Sequence, residues 1–190
     1  MWPRSAETKR AILDAAKALF AEQGYEGTTI GDIVAKSGVS VGSIYHQFGG
    51  KVEVCVALIE RDLSTLAAAS WQAVKELQAT GETDSVELYL AGARAYLLET
   101  WRDREILRIT LGADSPPEVA ANRGASEARL LRAAAKSMVI GEPPLPDSSA
   151  VVVTSLLRAA AVQLLDVDNE VLARQVVEYY TGLIRTLAHS

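Results

Sequence analysis

The stretch TTIGDIVAKSGVSVGSIYHQFGGK, residues 28–51, decides the fold of the N-terminal part of this chain. Residues 29–32 form a capping-box pattern, which marks the start of a helix, and Gly38 is suited to end that helix. Ser40 can cap a further short helix that runs from Val41 to about Gln47. Two short helices joined by a tight turn are typical of a helix-turn-helix, whose second helix lies in the major groove of DNA.

The second of these helices carries small and polar residues where a buried helix would carry aliphatic ones. A helix that enters the major groove needs little bulk at its tip, because its backbone must approach phosphates and base edges. Gly42 and Ser43 meet this need, and Tyr45 and His46 can then reach phosphates or bases. Lys51 begins the next helix, where its ammonium and the free N–H groups can clamp a phosphate. Two capped helices in an ordinary bundle would give the same layout.

Length and composition narrow the class of protein. The 190 residues suffice for one or two domains with a sizeable core, and 49% of them are apolar. The longest apolar run, Val54 to Ile59, is far shorter than the roughly 18 residues of a membrane span. The N-terminus lacks the apolar core of a signal peptide, and Cys55, the single cysteine, suits a reducing compartment. We therefore expect a cytoplasmic protein with no membrane partner.

Charge is unevenly distributed along the chain. Residues 1–51 contain six Lys/Arg and five Asp/Glu, a net charge of +1. The other residues contain 13 Lys/Arg and 19 Asp/Glu, a net charge of −6. An acidic body with a near-neutral to basic N-terminal part is compatible with DNA binding through that part alone.

Helical periodicity runs through nearly the whole chain and predicts an all-α fold of about nine helices. Gly24 is suited to end the first helix. The paired glycines at 49–50 predict a boundary between a helix-turn-helix domain, residues 1–50, and a helical ligand-binding and dimerisation domain, residues 51–190. The expected helices lie at about 6–23, 29–38, 41–47, 51–78, after 81, shortly before 115, from 116 to 140, and at 148–165 and 169–188, with a loop at 141–147.

The last two predicted helices carry more apolar residues than one buried face requires. A helix with so little polar surface must be covered on nearly every side. A two-fold homodimer would cover both helices, although a core helix within one protomer would explain the first of them. A dimer implies a palindromic operator with half-sites about 34–36 Å apart. The expected interface residues are Val152, Leu156, Leu157, Leu164, Val176, Tyr179 and Leu183.

Large aromatic residues stand among alanines and leucines in the middle of the chain. Such a mixture can line a cavity, and core packing explains it equally. The candidate pocket residues are Trp71, Tyr89, Tyr96, Trp101 and Met138.

An enzyme is the main competing class. Residues 38–42 match the G-x-S-x-G pattern of a nucleophile elbow, which requires a strand before the serine and a downstream acid and histidine. A helix is predicted before Ser40, and the only histidine well downstream is His189. The sequence has no Glu-x-x-His pair and no phosphate-binding loop. We therefore expect no catalytic residues, no metal site and no cofactor.

The segment AILDAAKALFAEQGYEGTTIGDIVAKSGVSVGSIYHQFGGK, residues 11–51, resembles the tetracycline-repressor (TetR) family of bacterial regulators. The specific motif covers about a quarter of the chain, and the rest is similar only in length and helix count. The resemblance implies a ligand-responsive, homodimeric regulator, most often a repressor, that binds double-stranded DNA. It also implies a four-helix dimer interface and a pocket for a small-molecule effector. An activator of the same family and a helical interaction protein that binds no DNA are the alternatives.

By position, the resemblance assigns eight residues to the DNA-facing surface. Two departures from the family pattern bear on base preference. His46-Gln47 stands where many members have Tyr-His or Arg-His, and Gly50 stands where many have serine. The assigned residues are Thr29, Ser40, Val41, Gly42, Ser43, Tyr45, His46 and Lys51.

Overall fold

The computed structural model describes residues 3–111, 117–136 and 147–188, and all regular structure in these ranges is helical. The prediction of an all-α fold with about nine helices is confirmed. The predicted helix end at 140 and nearly all of the predicted loop at 141–147 lie outside the described residues. The helices are α1 Pro3–Gly27, α2 Ile30–Ser37, α3 Val41–Gln47, α4 Lys51–Ala79, α5 Ser85–Arg102, α6 Arg104–Leu111, α7 Pro117–Lys136, α8 Asp147–Gln163 and α9 Glu170–Ala188, and a 3₁₀ turn, Leu164–Asp166, follows α8. None of the helices described is both long and apolar enough to cross a membrane.

Helix α1 bends sharply at Gly24, the residue predicted to end it. Gly24 has φ 77° and ψ 170°, a conformation that is readily available only without a Cβ. One further turn follows as far as Gly27, and the Thr28 hydroxyl donates a hydrogen bond of 2.8 Å to the Gly24 carbonyl. The bend therefore lies where the sequence predicts it, and a short helical turn continues beyond it.

The first of two compact units comprises Met1–Asp62 and Glu105–Ala125. It extends 12 residues beyond the predicted boundary at residue 50, because the first turns of α4 contribute buried side chains to its core. Arg123 of α7 pairs with Asp62 of α4 at 3.1 Å, and both side chains are almost completely buried. The largest buried side chains of this unit are Ile12, Phe20, Ile33, Ile44, Leu58, Ile59 and Ile106.

The second unit comprises Leu63–Arg104 and Ser126–Ser190, and in it α5 packs against α8 and α9. Arg185 of α9 donates two hydrogen bonds of 2.7 Å to the carboxylate of Glu87 on α5. These bonds hold the pKa of Glu87 below its ordinary value. The largest buried side chains here are Leu66, Leu90, Leu97, Leu157 and Leu164.

Gly92 permits the close approach of α5 to α4 in this second unit. A Cβ at position 92 would lie 2.8 Å from Ser70 Oγ and 3.2 Å from Val74 Cγ2. The Ser70 hydroxyl also donates a hydrogen bond of 2.9 Å to the Gly92 carbonyl. A side chain at position 92 would therefore force the side chains of Ser70 and Val74 to shift.

The substitution Gly92→Val is expected to lower the free energy of unfolding by about 1–3 kcal/mol, because the helices must separate and the Ser70 hydrogen bond must break. Urea denaturation followed by circular dichroism measures the change. Ala68→Val, at an exposed position of α4, is the matched control and should have little effect. A stability of Gly92→Val equal to that of the wild type would contradict the packing argument.

Candidate nucleic-acid interface

Helix α2 begins with a complete capping box. Thr29 is the N-cap, and its side chain accepts a hydrogen bond of 3.1 Å from the Asp32 N–H. The Asp32 carboxylate accepts in return from the Thr29 N–H at 2.8 Å and from the Thr29 hydroxyl at 2.7 Å. The helix ends at Gly38, which has the left-handed conformation (φ 69°, ψ 10°). The predicted start and end of this helix are confirmed.

The same contacts affect the ionisation of Asp32. The hydrogen bonds from the Thr29 hydroxyl and N–H hold the pKa of Asp32 below its ordinary value. A carboxylate with a lowered pKa stabilises the folded state above its unfolded pKa of about 4. This stabilisation is lost as the pH falls through the lower pKa of the folded state.

We expect an NMR titration of the Asp32 carboxyl carbon to give a midpoint below about 3.9, the value for an unperturbed aspartate. Thr29→Ala should raise that midpoint, because it removes the hydroxyl. Thr29→Ser retains the hydroxyl and should leave the midpoint low. An identical midpoint in Thr29→Ala and wild type would contradict the assignment.

Helix α3 is capped by Ser40, as predicted. The Ser40 hydroxyl accepts a hydrogen bond of 3.3 Å from the Ser43 N–H and lies 2.9 Å from the Ser43 hydroxyl. Helix α2, and not a strand, precedes Ser40. The serine therefore caps a helix and does not have the setting of a nucleophile elbow.

One face of α3 is buried and the opposite face is open. Ile44 is completely buried, whereas Val41 is 48% exposed and Tyr45 is 54% exposed. His46 is also exposed, and a Cβ at Gly42 would meet no atom within 4 Å. The exposed face is thus narrow at the tip of the helix and aromatic and polar farther along, which suits insertion into the major groove.

Lys51 is placed differently from the sequence-based expectation. Its ammonium donates hydrogen bonds of 2.9 Å to the carbonyl groups of Tyr25 and Thr28, and it lies 4.1 Å from the centre of the Tyr25 ring. The ammonium that was predicted to clamp a phosphate is therefore bound to the protein's own backbone. Contacts of this kind join residues more than 20 positions apart, so helical spacing could not have revealed them.

Residues 12–58, which include the helix-turn-helix, match the family described as bacterial regulatory proteins, tetR family. This segment belongs to the TetR family. Over 64 residues the chain is 36% identical to the HTH-type transcriptional repressor AcnR of Corynebacterium efficiens, a match that covers 34% of each chain. The chain thus matches only about a third of the length of this curated relative.

Solved structures extend the similarity in fold beyond this TetR segment. A TetR-type protein from Syntrophomonas wolfei has a TM-score of 0.77 and 18% identity, with 97% of this chain and 96% of that chain covered. AibR, solved with isovaleryl coenzyme A and operator DNA, has a TM-score of 0.64 and 18% identity, with 93% and 97% covered. At these identities the similarity establishes the fold alone.

In the second unit, the predicted interface residues fall into two groups. Val152, Tyr179 and Leu183 are exposed, and Leu156 and Val176 are half-buried. Leu157 and Leu164, in contrast, are buried in the core of the protomer, so their assignment to a dimer interface was wrong. Because α8 is apolar on most of its surface, its sequence could not indicate which side faces the core.

The predicted pocket residues also differ from one another in solvent exposure. Trp71 is 64% exposed, whereas Tyr89 and Tyr96 are buried. The half-buried Trp101 donates a hydrogen bond of 2.8 Å from its indole nitrogen to the Val167 carbonyl. Met138 lies outside the described residues. The exposure of Trp71 differs from the enclosed position that its sequence context suggested.

A buried polar cluster in the second unit was missed by sequence analysis. The Tyr96 hydroxyl donates a hydrogen bond of 2.7 Å to Glu127, whose other carboxylate oxygen accepts from Arg158 at 3.3 Å. The side chain of Glu127 is only 6% exposed. A buried carboxylate is costly unless it is paired, and these contacts supply the partners. No helical periodicity connects positions 31 residues apart, so this cluster could not be predicted from the sequence.

The Tyr89 hydroxyl, also on α5, is buried and has no hydrogen-bond partner among the described residues. Burial raises the pKa of Tyr89 well above its ordinary value, so the hydroxyl keeps its proton. A buried hydroxyl without a partner is energetically unfavourable. It therefore offers a donor and an acceptor to a molecule that reaches it.

The first unit contains a cavity of about 280 Å³ beside the bend in α1. None of the predicted pocket residues contributes to it. It is lined by Phe20, Ala21, Gly24, Tyr25, Glu105, Arg108 and Ile109.

Proposed function

We propose that this protein is a homodimeric transcriptional regulator that binds a palindromic operator through α3 and responds to a small-molecule effector in its second unit. The proposal rests on which side of α3 is buried and which side is exposed. Its inner face is fixed by the buried Ile44, and its outer face presents Val41, Gly42 and Tyr45 to solvent. An exposed helix that is narrow at its tip, within a TetR-type segment, has the features needed to read the major groove.

The DNA-facing set consists of the residues assigned by resemblance, with a change in the role of Lys51. Ser43, Tyr45 and His46 are proposed to contact base edges or phosphates, with His46 directed to phosphate. Thr29 and Ser40 cap α2 and α3, and each retains hydroxyl capacity for a phosphate oxygen. Val41 and Gly42 are proposed to lie close to the floor of the major groove, at the tip of α3.

The surface of α9 supports a homodimer. Its inward positions are Ala173, Val177, Thr181, Ile184 and Ala188, all buried. A second apolar stripe points outward, and its members are Leu172, Val176, Tyr179, Leu183 and Leu187. A helix with two apolar stripes needs two packing partners, and a second copy of the chain covers the outer stripe in the proposal. On α8, Val151, Val152 and Val162 are exposed as well.

The effector is proposed to bind near α5 in the second unit. Tyr89 and Tyr96 lie two helical turns apart on the same buried face, and the Tyr89 hydroxyl lacks a partner within the described part of the chain. AibR, a structural neighbour, was solved with both an acyl coenzyme A and operator DNA, which supports a ligand-responsive regulator in general terms. We propose repression as the direction of control, because the sequence relative AcnR is named a repressor.

The proposal is tested by DNase I footprinting on the DNA upstream of the protein's own gene and of the adjacent gene. We expect a protected palindrome, with half-sites about one helical turn apart or slightly more, at moderate salt. A scrambled duplex of equal length and composition is the control. Equal affinity for both duplexes would overturn the proposal, and binding to neither duplex would favour a helical interaction protein that binds no DNA. Transcription in vitro then separates repression from activation at the protected site.

A further inference from the structure

Lys51 connects the two ends of the helix-turn-helix. Its Nζ donates to the carbonyl of Thr28, the residue just before the N-cap of α2, across 23 positions of sequence. Lys51 itself is the first residue of α4 and follows the end of α3 by four positions. The hydrogen bond therefore joins the beginning and the end of the segment that contains both helices.

The same ammonium also provides a positive charge at the C-terminal end of α1. The last carbonyl groups of a helix have no partners within the helix and carry partial negative charge, and a cation stabilises them. The last turn of α1 contains no basic residue. Lys51 provides the cation from α4 by donating a 2.9 Å hydrogen bond to the Tyr25 carbonyl, and its charge lies over the Tyr25 ring.

Little capacity for a phosphate remains on this side chain. A lysine ammonium has three N–H donors, and two of them bind the carbonyl groups of Tyr25 and Thr28. Lys51 is also only partly accessible, and its stem is held by the same contacts. The contacts within the protein therefore explain the position of the Lys51 side chain without any contact to DNA.

We propose that Lys51 is a positioning residue, which fixes the orientation of α3 by tying the start of α4 to the turn between α1 and α2. This inference rests on the proposed DNA-binding function. It assigns the lysine to the geometry of the reading helix and not to the phosphate backbone. The two roles differ in their salt dependence, because each phosphate contact contributes about 0.9 to the slope of log affinity against log salt.

The test compares Lys51→Met with wild type on the duplex that carries the footprinted palindrome, over a series of salt concentrations. We expect affinity for the palindrome to fall by about 10- to 100-fold, because two charge-assisted hydrogen bonds are lost. The salt slope and the affinity for a scrambled duplex should stay unchanged. A slope lower by about 0.9, or a wild-type affinity for the palindrome, would overturn the positioning role.

Two further variants complete the comparison. Lys51→Arg can donate to both carbonyl groups and stack on the Tyr25 ring, so its affinity should return to within about threefold of wild type. Lys75→Met removes one positive charge from an exposed position of α4 in the other unit and should change neither affinity nor slope. A failure of Lys51→Arg to recover affinity would contradict the proposal.

Hydrogen exchange in the free protein separates this inference from the proposed function. Lys51→Met should accelerate amide exchange in peptides covering residues 25–50, with unchanged exchange in α9. Unchanged exchange in both regions would overturn the positioning role even if DNA binding is confirmed. Absence of specific binding by the wild type would overturn the proposed function, while the exchange experiment would still test the contact.

Discussion

Gly42→Leu is expected to abolish specific operator binding while leaving the protein folded. Gly42 is the second residue of α3, and an added Cβ would meet no protein atom within 4 Å. A leucine there would extend from the tip of the helix and keep the backbone away from the base edges. Affinity should fall to that for non-specific DNA, a loss on the order of 10³-fold or more.

The stability of the fold should not decrease with this substitution, although operator affinity should. Glycine is unfavourable in a helix, so Gly42→Leu should leave thermal stability unchanged or raise it by up to about 1 kcal/mol. Ala68→Leu adds similar bulk to an exposed position of α4 in the other unit and should bind the palindrome normally. Differential scanning calorimetry and fluorescence anisotropy measure the two quantities. Specific binding by a folded Gly42→Leu protein would mean that α3 does not enter the groove as proposed.

Tyr179→Glu is expected to produce folded monomers. Tyr179 is 65% exposed in the protomer, so a charge at this position should not disturb the internal core. In the proposed homodimer the substitution places two carboxylates in an apolar contact, because two-fold symmetry repeats each change. Desolvating them should weaken dimerisation by at least about 100-fold.

Sedimentation equilibrium measures this dissociation directly, with Gln78→Glu on α4 as the control for an added exposed charge. Operator affinity should fall together with dimerisation, because the two half-sites are then bound by separate molecules. Affinity for a single half-site should stay at the wild-type level. A Tyr179→Glu protein that remains dimeric would require a different dimer surface.

Local signals predicted the helix-turn-helix well. The capping box of Thr29 and Asp32, the Ser40 cap and the end of α2 at Gly38 are all present as predicted. Each depends on residues within a few positions of one another, so the sequence contains the whole interaction. The all-α fold is predictable for the same reason, since helical periodicity is a local property.

Several site assignments depended on information that local sequence does not contain. Leu157 is a core residue although it lies on the same apolar helix as the exposed Val152, and Leu164, in the 3₁₀ turn that follows this helix, is also buried. Trp71 is exposed although it stands among small residues that could accompany a cavity. In both cases the residue type is compatible with two environments, and only the packing of neighbouring helices selects one of them.

The sequence by itself determined which residues form α3, because a helix and its caps are specified within four positions along the chain. Only the tertiary structure decided which groups Lys51 contacts. Its hydrogen bonds reach Tyr25 and Thr28 across 26 and 23 positions, and such contacts exist only after the chain has folded back on itself. The same holds for Glu127, whose burial beside Tyr96 is a property of packed helices and not of any local pattern.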